Sequence, residues 1–163
     1  MSQALDVRIN DAEFNRAMKQ KPVTVRREVD LALARAALEV GRLAKGKAPK
    51  AFSHLTNSII PGKTRSLVHF VKAGMNYASD IEYGRAPGHM PDRQHIIDWM
   101  KIKGITPLNG SYKSSAFLIA RSIAKHGSKA QPFMAPALEE KRPRILRLVK
   151  EGVRRGLDGG THV

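Results

Sequence analysis

The chain has 163 residues, the length of one compact domain, and its 42% hydrophobic and 26% charged content excludes a disordered polypeptide. The absence of cysteine excludes disulfides, thiolate metal sites and cysteine nucleophiles together. Lys+Arg at 29 against Asp+Glu at 14 leave a net charge of +15, which points to a negatively charged partner or to a place in a large assembly.

In chain order, Leu5 to Ile9 alternates apolar and polar residues and reads as a short half-buried strand. Asn10 or Asp11 can cap a short helix with Phe14 and Met18 on one face. Pro22 suits the first turn of a second helix, in which Val25, Val29, Leu33, Ala36, Val40 and Leu43 form a core-facing stripe. Arg26 with Asp30 and Arg35 with Glu39 have the spacing of ion pairs along that helix. Leu31, Ala34, Leu38 and Gly41 make a second, narrower row. It belongs either to a more deeply buried helix or to a strip for a neighbouring subunit. The helix should end near Gly46, ahead of Pro49.

Residues 48–65, rich in Pro, Gly, Ser, Thr and Asn, read as loop, and Arg65 to Ala73 as a strand. Tyr77 to Tyr83 fits one helical turn or an extended segment. Residues 84–91 read as a loop. Asp92 can cap a helix closed by Gly104, and Ser114 or Ser115 can open another closed by Gly127. A long C-terminal helix is expected from about Pro136 to Leu157, bent at Pro143, before a tail fraying over about 158–163. No apolar run approaches the length of a membrane span, and the start lacks the apolar stretch of a secretory signal. The reading is a single α+β domain, with a small mostly antiparallel sheet packed against two long helices.

Motifs for chemistry are weak. Gly62-Lys63-Thr64 has the end of a phosphate-binding loop without its first glycine, since that position is Asn57. The six histidines lack metal-ligand spacing, and no nucleophile elbow occurs. Asp80 and Glu82 could hold Mg²⁺ in a nuclease if extended on one sheet edge, but no third carboxylate sits at suggestive spacing. No catalytic, cofactor-binding or metal-binding residue is expected, and no cofactor. The stronger feature is the C-terminal helix, where Arg144, Arg147, Arg154 and Arg155 can form a band facing DNA or an acidic partner.

Three segments together resemble a known family. APKAFSHLTNSI at 48–59 resembles the element APxxTGxLxxSI, NYASDIEYGRAP at 76–87 resembles YAxxVExGTxP, and SSAFLIARSIAKHGSKAQPFMAPAL at 114–138 resembles AFxIAxxIxxxGTxAxPFxxPAL. Their order and spacing are similar to the tailed-bacteriophage head–tail joining or tail-component family typified by the tenth gene product of a lambda-like siphophage. Ser53 replaces that pattern's glycine, and Arg85 replaces its threonine.

The resemblance implies a non-enzymatic virion protein of the neck, assembled in the host cytoplasm. It would meet a head connector or head-completion protein on one side and a tail terminator or tube protein on the other. A subunit with a radius of gyration of about 15 Å cannot surround a duplex alone. A channel role therefore requires a homo-oligomeric ring with two different patches per subunit. A hexamer is favoured and a dodecamer possible, around double-stranded DNA contacted without sequence preference, and no membrane is involved. Leu31, Leu38, Tyr77, Glu82, Tyr83, Gly84, Arg85, Pro132, Phe133 and Pro136 are the expected elements of subunit or ring contacts. The competing reading is a basic DNA-binding accessory protein acting outside a ring.

Overall fold

Seven α-helices and a two-stranded hairpin make up the residues that the computed structural model describes, 12–49 and 53–159. The strand expected at residues 5–9, the proposed caps Asn10 and Asp11, and the tail from residue 160 lie outside the described residues. The elements are α1 (Ala12–Gln20), α2 (Pro22–Lys47), α3 (Ser53–Ser58), β1 (Ile59–Arg65), β2 (Val68–Ala73), α4 (Ala78–Tyr83), α5 (Arg93–Ile102), α6 (Tyr112–His126) and α7 (Met134–Leu157), with a 3₁₀ turn at Leu108–Gly110. This is the expected α+β class, with both long helices in place.

The spine is the antiparallel pair of α2 and α7. Lys21 Nζ and the Thr24 hydroxyl, at the start of α2, donate to the Leu157 and Gly156 carbonyls, the latter at 2.8 Å. These bonds satisfy acceptors at the carbonyl end of α7, where a cation is favoured. At the other end Lys47 pairs with Glu140 at 2.9 Å. The backbones come close because α7 carries Gly152 and Gly156, four apart, toward α2. A Cβ on Gly156 would lie 2.4 Å from Val25 Cα, and one on Gly152 would lie 3.0 Å from the Glu28 carbonyl oxygen. Val25, Val29, Val149 and Val153 are buried beside this contact, with Ala17 of α1 closing the end.

The hairpin lies across α2. It occupies the segment expected to be loop, because residues 53–58 are helical and 59–65 pair antiparallel with β2. Pro61 and Gly62 suggest a turn when read locally. Their cross-strand partners decide otherwise: Pro61 opposes Val71, and Gly62 opposes Phe70, whose ring occupies the space a side chain would take. The paired strands cross α2 at Gly41, which is buried under Val71 and Pro61.

Asp30 ties the hairpin to the helix. Its carboxylate accepts from Lys63 Nζ, from the Leu67 amide at 2.9 Å and contacts His69 Nε2 at 3.1 Å. The local pair expected with Arg26 is therefore replaced by bonds to the hairpin. Burial alone would raise the Asp30 carboxyl, but the bonds from Lys63, Leu67 and His69 outweigh it and hold the group at about 2 against an ordinary 3.8. Because the folded value lies below the unfolded one, the contribution is complete above about pH 5 and is lost as pH falls toward 2. Asp30→Asn is expected to cost about 1 kcal/mol at pH 7, reduced by solvent screening at the exposed Lys63. Urea unfolding at a series of pH values should show the variant and the parent converging near pH 2.

Between the hairpin and α7 the central core gathers Ala48, Leu55, Ile59, Ala78, Phe133, Ala137, Ile145 and Leu148 along the α2 stripe. A third cluster lies between α5 and α6, built on Ile96, Met100, Ala116 and Ala120. The Asp92 side chain accepts from the Gln94 amide to start α5, as expected. The start of α6 differs. Ser111 caps it, while Ser115 is buried and its hydroxyl accepts from the Leu108 amide at 2.8 Å. Helix α7 begins at Met134 and continues through Pro143.

Candidate nucleic-acid interface

The basic residues of α7 divide into two sets once the helix is packed. Arg144 lies 3.5 Å from Glu39, and Arg155 lies 3.4 Å from Glu28. The two arginines are eleven residues apart, as are the two glutamates, and eleven residues is close to three helical turns. Both bridges therefore sit on the same flank of the α2–α7 seam. The expected band of four arginines is corrected accordingly: Arg144 and Arg155 join the helices, and Glu39 is engaged by α7 rather than by Arg35.

Arg147 and Arg154 remain exposed, and Lys150 lies between them at the same helical face. Beyond the ridge of ion pairs, α2 exposes Arg35, Arg42 and Lys45. None of these six cations has an ion pair among the described residues. The exposed cations run over about 15 Å of α2, from Arg35 to Lys45, and about 10 Å of α7, from Arg147 to Arg154, at the rise of a helix. Glu151 is the acidic residue set among them, and it is half-buried. A surface of this kind suits phosphates spaced along a nucleic-acid backbone, through counterion release rather than base reading.

A second construction joins α4 to the start of α7. Glu82 is buried, and its carboxylate accepts from the Phe133, Met134 and Ala135 amides at 2.8–2.9 Å. It thus caps α7 from 52 residues away, where a negative charge also meets the positive end of the helix. Beside it, Arg85 and Ser128 exchange backbone hydrogen bonds at 3.1 and 2.9 Å, and the Gln131 amide donates to the Ile81 carbonyl. The approach is so close that a side chain at Gly84 would meet the Ser128 oxygen at 2.6 Å, and one at Gly127 would meet the Arg85 oxygen at 2.2 Å; both have φ of +74°. The Arg85 guanidinium bonds Asp80 at 2.6 Å. The two carboxylates considered for Mg²⁺ are thus on a helix, one paired with Arg85 and the other turned onto backbone amides. Among the described residues no group of three His, Asp or Glu could hold a metal ion.

The residues expected at contacts fall into three environments. Phe133 and Glu82 are buried within the chain's own fold, where they position neighbouring segments. Tyr77 is partly buried against the His95 ring, at 4.8 Å between centroids, and burial with the nearby Asp98 charge pushes its phenol up. Leu31, Leu38, Tyr83 and Pro132 are exposed, while Gly84, Arg85 and Pro136 are intermediate. The second row expected on α2 is therefore not one strip: Gly41 is covered by the hairpin, and Leu31 and Leu38 face outward.

The three segments that carried the resemblance meet in one place. Ala48, Leu55 and Ile59 of the first, Ala78 of the second, and Phe133 and Ala137 of the third share the central core. No family model, curated protein or solved structure matches the chain. No helix among the described residues is long and apolar enough to cross a membrane.

Proposed function

We propose that the chain is a structural component of a tailed-phage neck, closing with copies of itself into a ring through which double-stranded DNA passes. The supporting observation is the exposed row of Arg147, Lys150 and Arg154 on α7, with further cations of α2 beyond the seam, set on a fold in which the three family-like segments build one core and one clasp. Such motifs act in folding and positioning, and no residue among them is assigned a catalytic role. A phosphate-facing wall needs many weak, sequence-blind contacts, and the exposed cations supply that kind of contact. Ring closure uses the other side of the clasp, where Tyr83, residues 86–90 and Pro132 are exposed. The exposed Phe117 and Leu118 of α6 offer an opposing apolar patch, as a head-to-tail interface requires.

Native mass measurement of the purified protein, alone and with its connector, tests closure. Six or twelve copies of the 18.0 kDa chain are expected, and a monomer under both conditions removes the ring. The same cationic surface favours the second reading, a DNA-binding protein acting alone, which requires tight duplex binding by the monomer. Replacing Arg147, Lys150 and Arg154 together by Gln is expected to reduce the log-salt slope of duplex binding by about 2–3. Titrations at several salt concentrations measure it, with circular dichroism to confirm an unchanged fold.

A further inference from the structure

We infer that the outward face of α2 around Leu31 and Leu38 docks an acidic amphipathic helix belonging to a different polypeptide. Leu31 is 56% and Leu38 49% exposed, and they stand seven residues apart, two turns along one stripe. Ala34 lies between them and is half-buried. Around this apolar strip stand Arg27, Arg35, Arg42 and Lys45, all exposed. Glu39 is drawn to the seam by Arg144, and Glu28 lies between Arg155 at 3.4 Å and Arg27 at 3.6 Å, which leaves Arg35, Arg42 and Lys45 without an ion pair among the described residues.

The chemistry of the strip selects its occupant. Leucines gain nothing from phosphates, so a nucleic-acid backbone would leave the centre of this face unused. Among the described residues a second copy of the chain supplies no free row of carboxylates. Its exposed Glu139 and Glu140 pair with Arg142 and Lys47, Asp80 with Arg85, and Asp92 caps α5. Glu151 and Asp158 sit among Arg147, Lys150, Arg154 and Arg155. Two copies placed face to face on α2 would oppose arginine with arginine. A helix with apolar residues repeating every three to four positions and carboxylates on both flanks satisfies leucines and arginines at once. This assigns Leu31 and Leu38 to a foreign partner in place of a neighbouring copy, and it holds whether or not copies close into a ring.

The probe is a labelled synthetic peptide of three heptads, with Leu at the apolar positions and Glu on the flanks, measured by fluorescence anisotropy against the full-length protein. A peptide of identical composition in scrambled order serves as the charge control. Binding about tenfold tighter than the scrambled peptide is expected, and L31S/L38S should abolish that difference. The same variant should keep its helical circular dichroism, its oligomeric mass and, within about twofold, its duplex affinity, because both side chains are solvent-facing. Equal binding of the two peptides, or an unaltered preference in the variant, overturns the inference. A changed oligomeric mass in the variant also overturns it, by giving the face to a second copy.

Discussion

Gly156→Ala is expected to destabilise the protein by about 2–3 kcal/mol, although alanine is the better helix former by about 1 kcal/mol. The added methyl would lie 2.4 Å from Val25 Cα and 2.9 Å from Val25 N, both main-chain atoms of the facing helix. A side chain can rotate aside, but a helix backbone yields only if the whole α2–α7 seam opens. The opening would also stretch the bond from the Thr24 hydroxyl to the Gly156 carbonyl and loosen the valine cluster around Val25 and Val153. Two companions separate this mechanism from general sensitivity to glycine replacement. Gly46→Ala, with no atom within 4 Å of its new methyl, is expected to stabilise by about 0.5–1 kcal/mol. Val25→Ala added to Gly156→Ala should recover little, since it removes the side-chain contact at 2.9 Å and leaves the main chain where it was. Urea unfolding of the four proteins measures all of this. A Gly156→Ala variant as stable as the parent would mean that the seam is not held by backbone contact.

What the sequence discloses here is periodicity, and what it hides is the identity of distant partners. The stripe from Val25 to Val40 marks α2 because it repeats within the helix itself, and Gly104 and Gly127 mark helix ends because their φ values of +64° and +74° are local requirements. The hairpin escapes a local reading, since Gly62 becomes strand-like only when Phe70 covers it from the opposite strand. Charge pairing misleads for the same reason. Arg26–Asp30 and Arg35–Glu39 have the correct spacing along one helix, yet each carboxylate has a partner elsewhere: Lys63 for Asp30 and Arg144 for Glu39. The seam glycines were legible in principle, as two small residues four apart on the apolar side of α7, a pattern known to let helices approach. The cationic surface was half visible. The arginine band could be read from α7 alone, but its contribution from Arg35, Arg42 and Lys45 requires knowing which way α2 lies.

Glu82→Ala is expected to be the most damaging single carboxylate replacement, at about 3–4 kcal/mol, or roughly 10 °C in thermal midpoint for a chain of this size. Three amides at the start of α7 point at this one carboxylate, and no other side chain replaces it at those bonds. Removing it leaves the buried Phe133 amide without an acceptor, while the half-buried Met134 and Ala135 amides regain part of their bonding from water. The loss is therefore smaller than the sum of three charge-assisted bonds. Glu82→Gln keeps one oxygen and its shape but presents an NH₂ group to a cluster of donors, and an intermediate cost of about 2 kcal/mol is expected. Asp80→Ala supplies the contrast: its partner Arg85 is partly solvent-exposed, so a cost below about 1 kcal/mol is expected. If Glu82 instead served an exchangeable metal ion, the order would invert, with stability indifferent to both replacements and sensitive to added Mg²⁺. The order Ala, Gln, then Asp80→Ala in thermal denaturation, unchanged by Mg²⁺ or chelator, is the result that assigns the buried carboxylate to holding α7 in place.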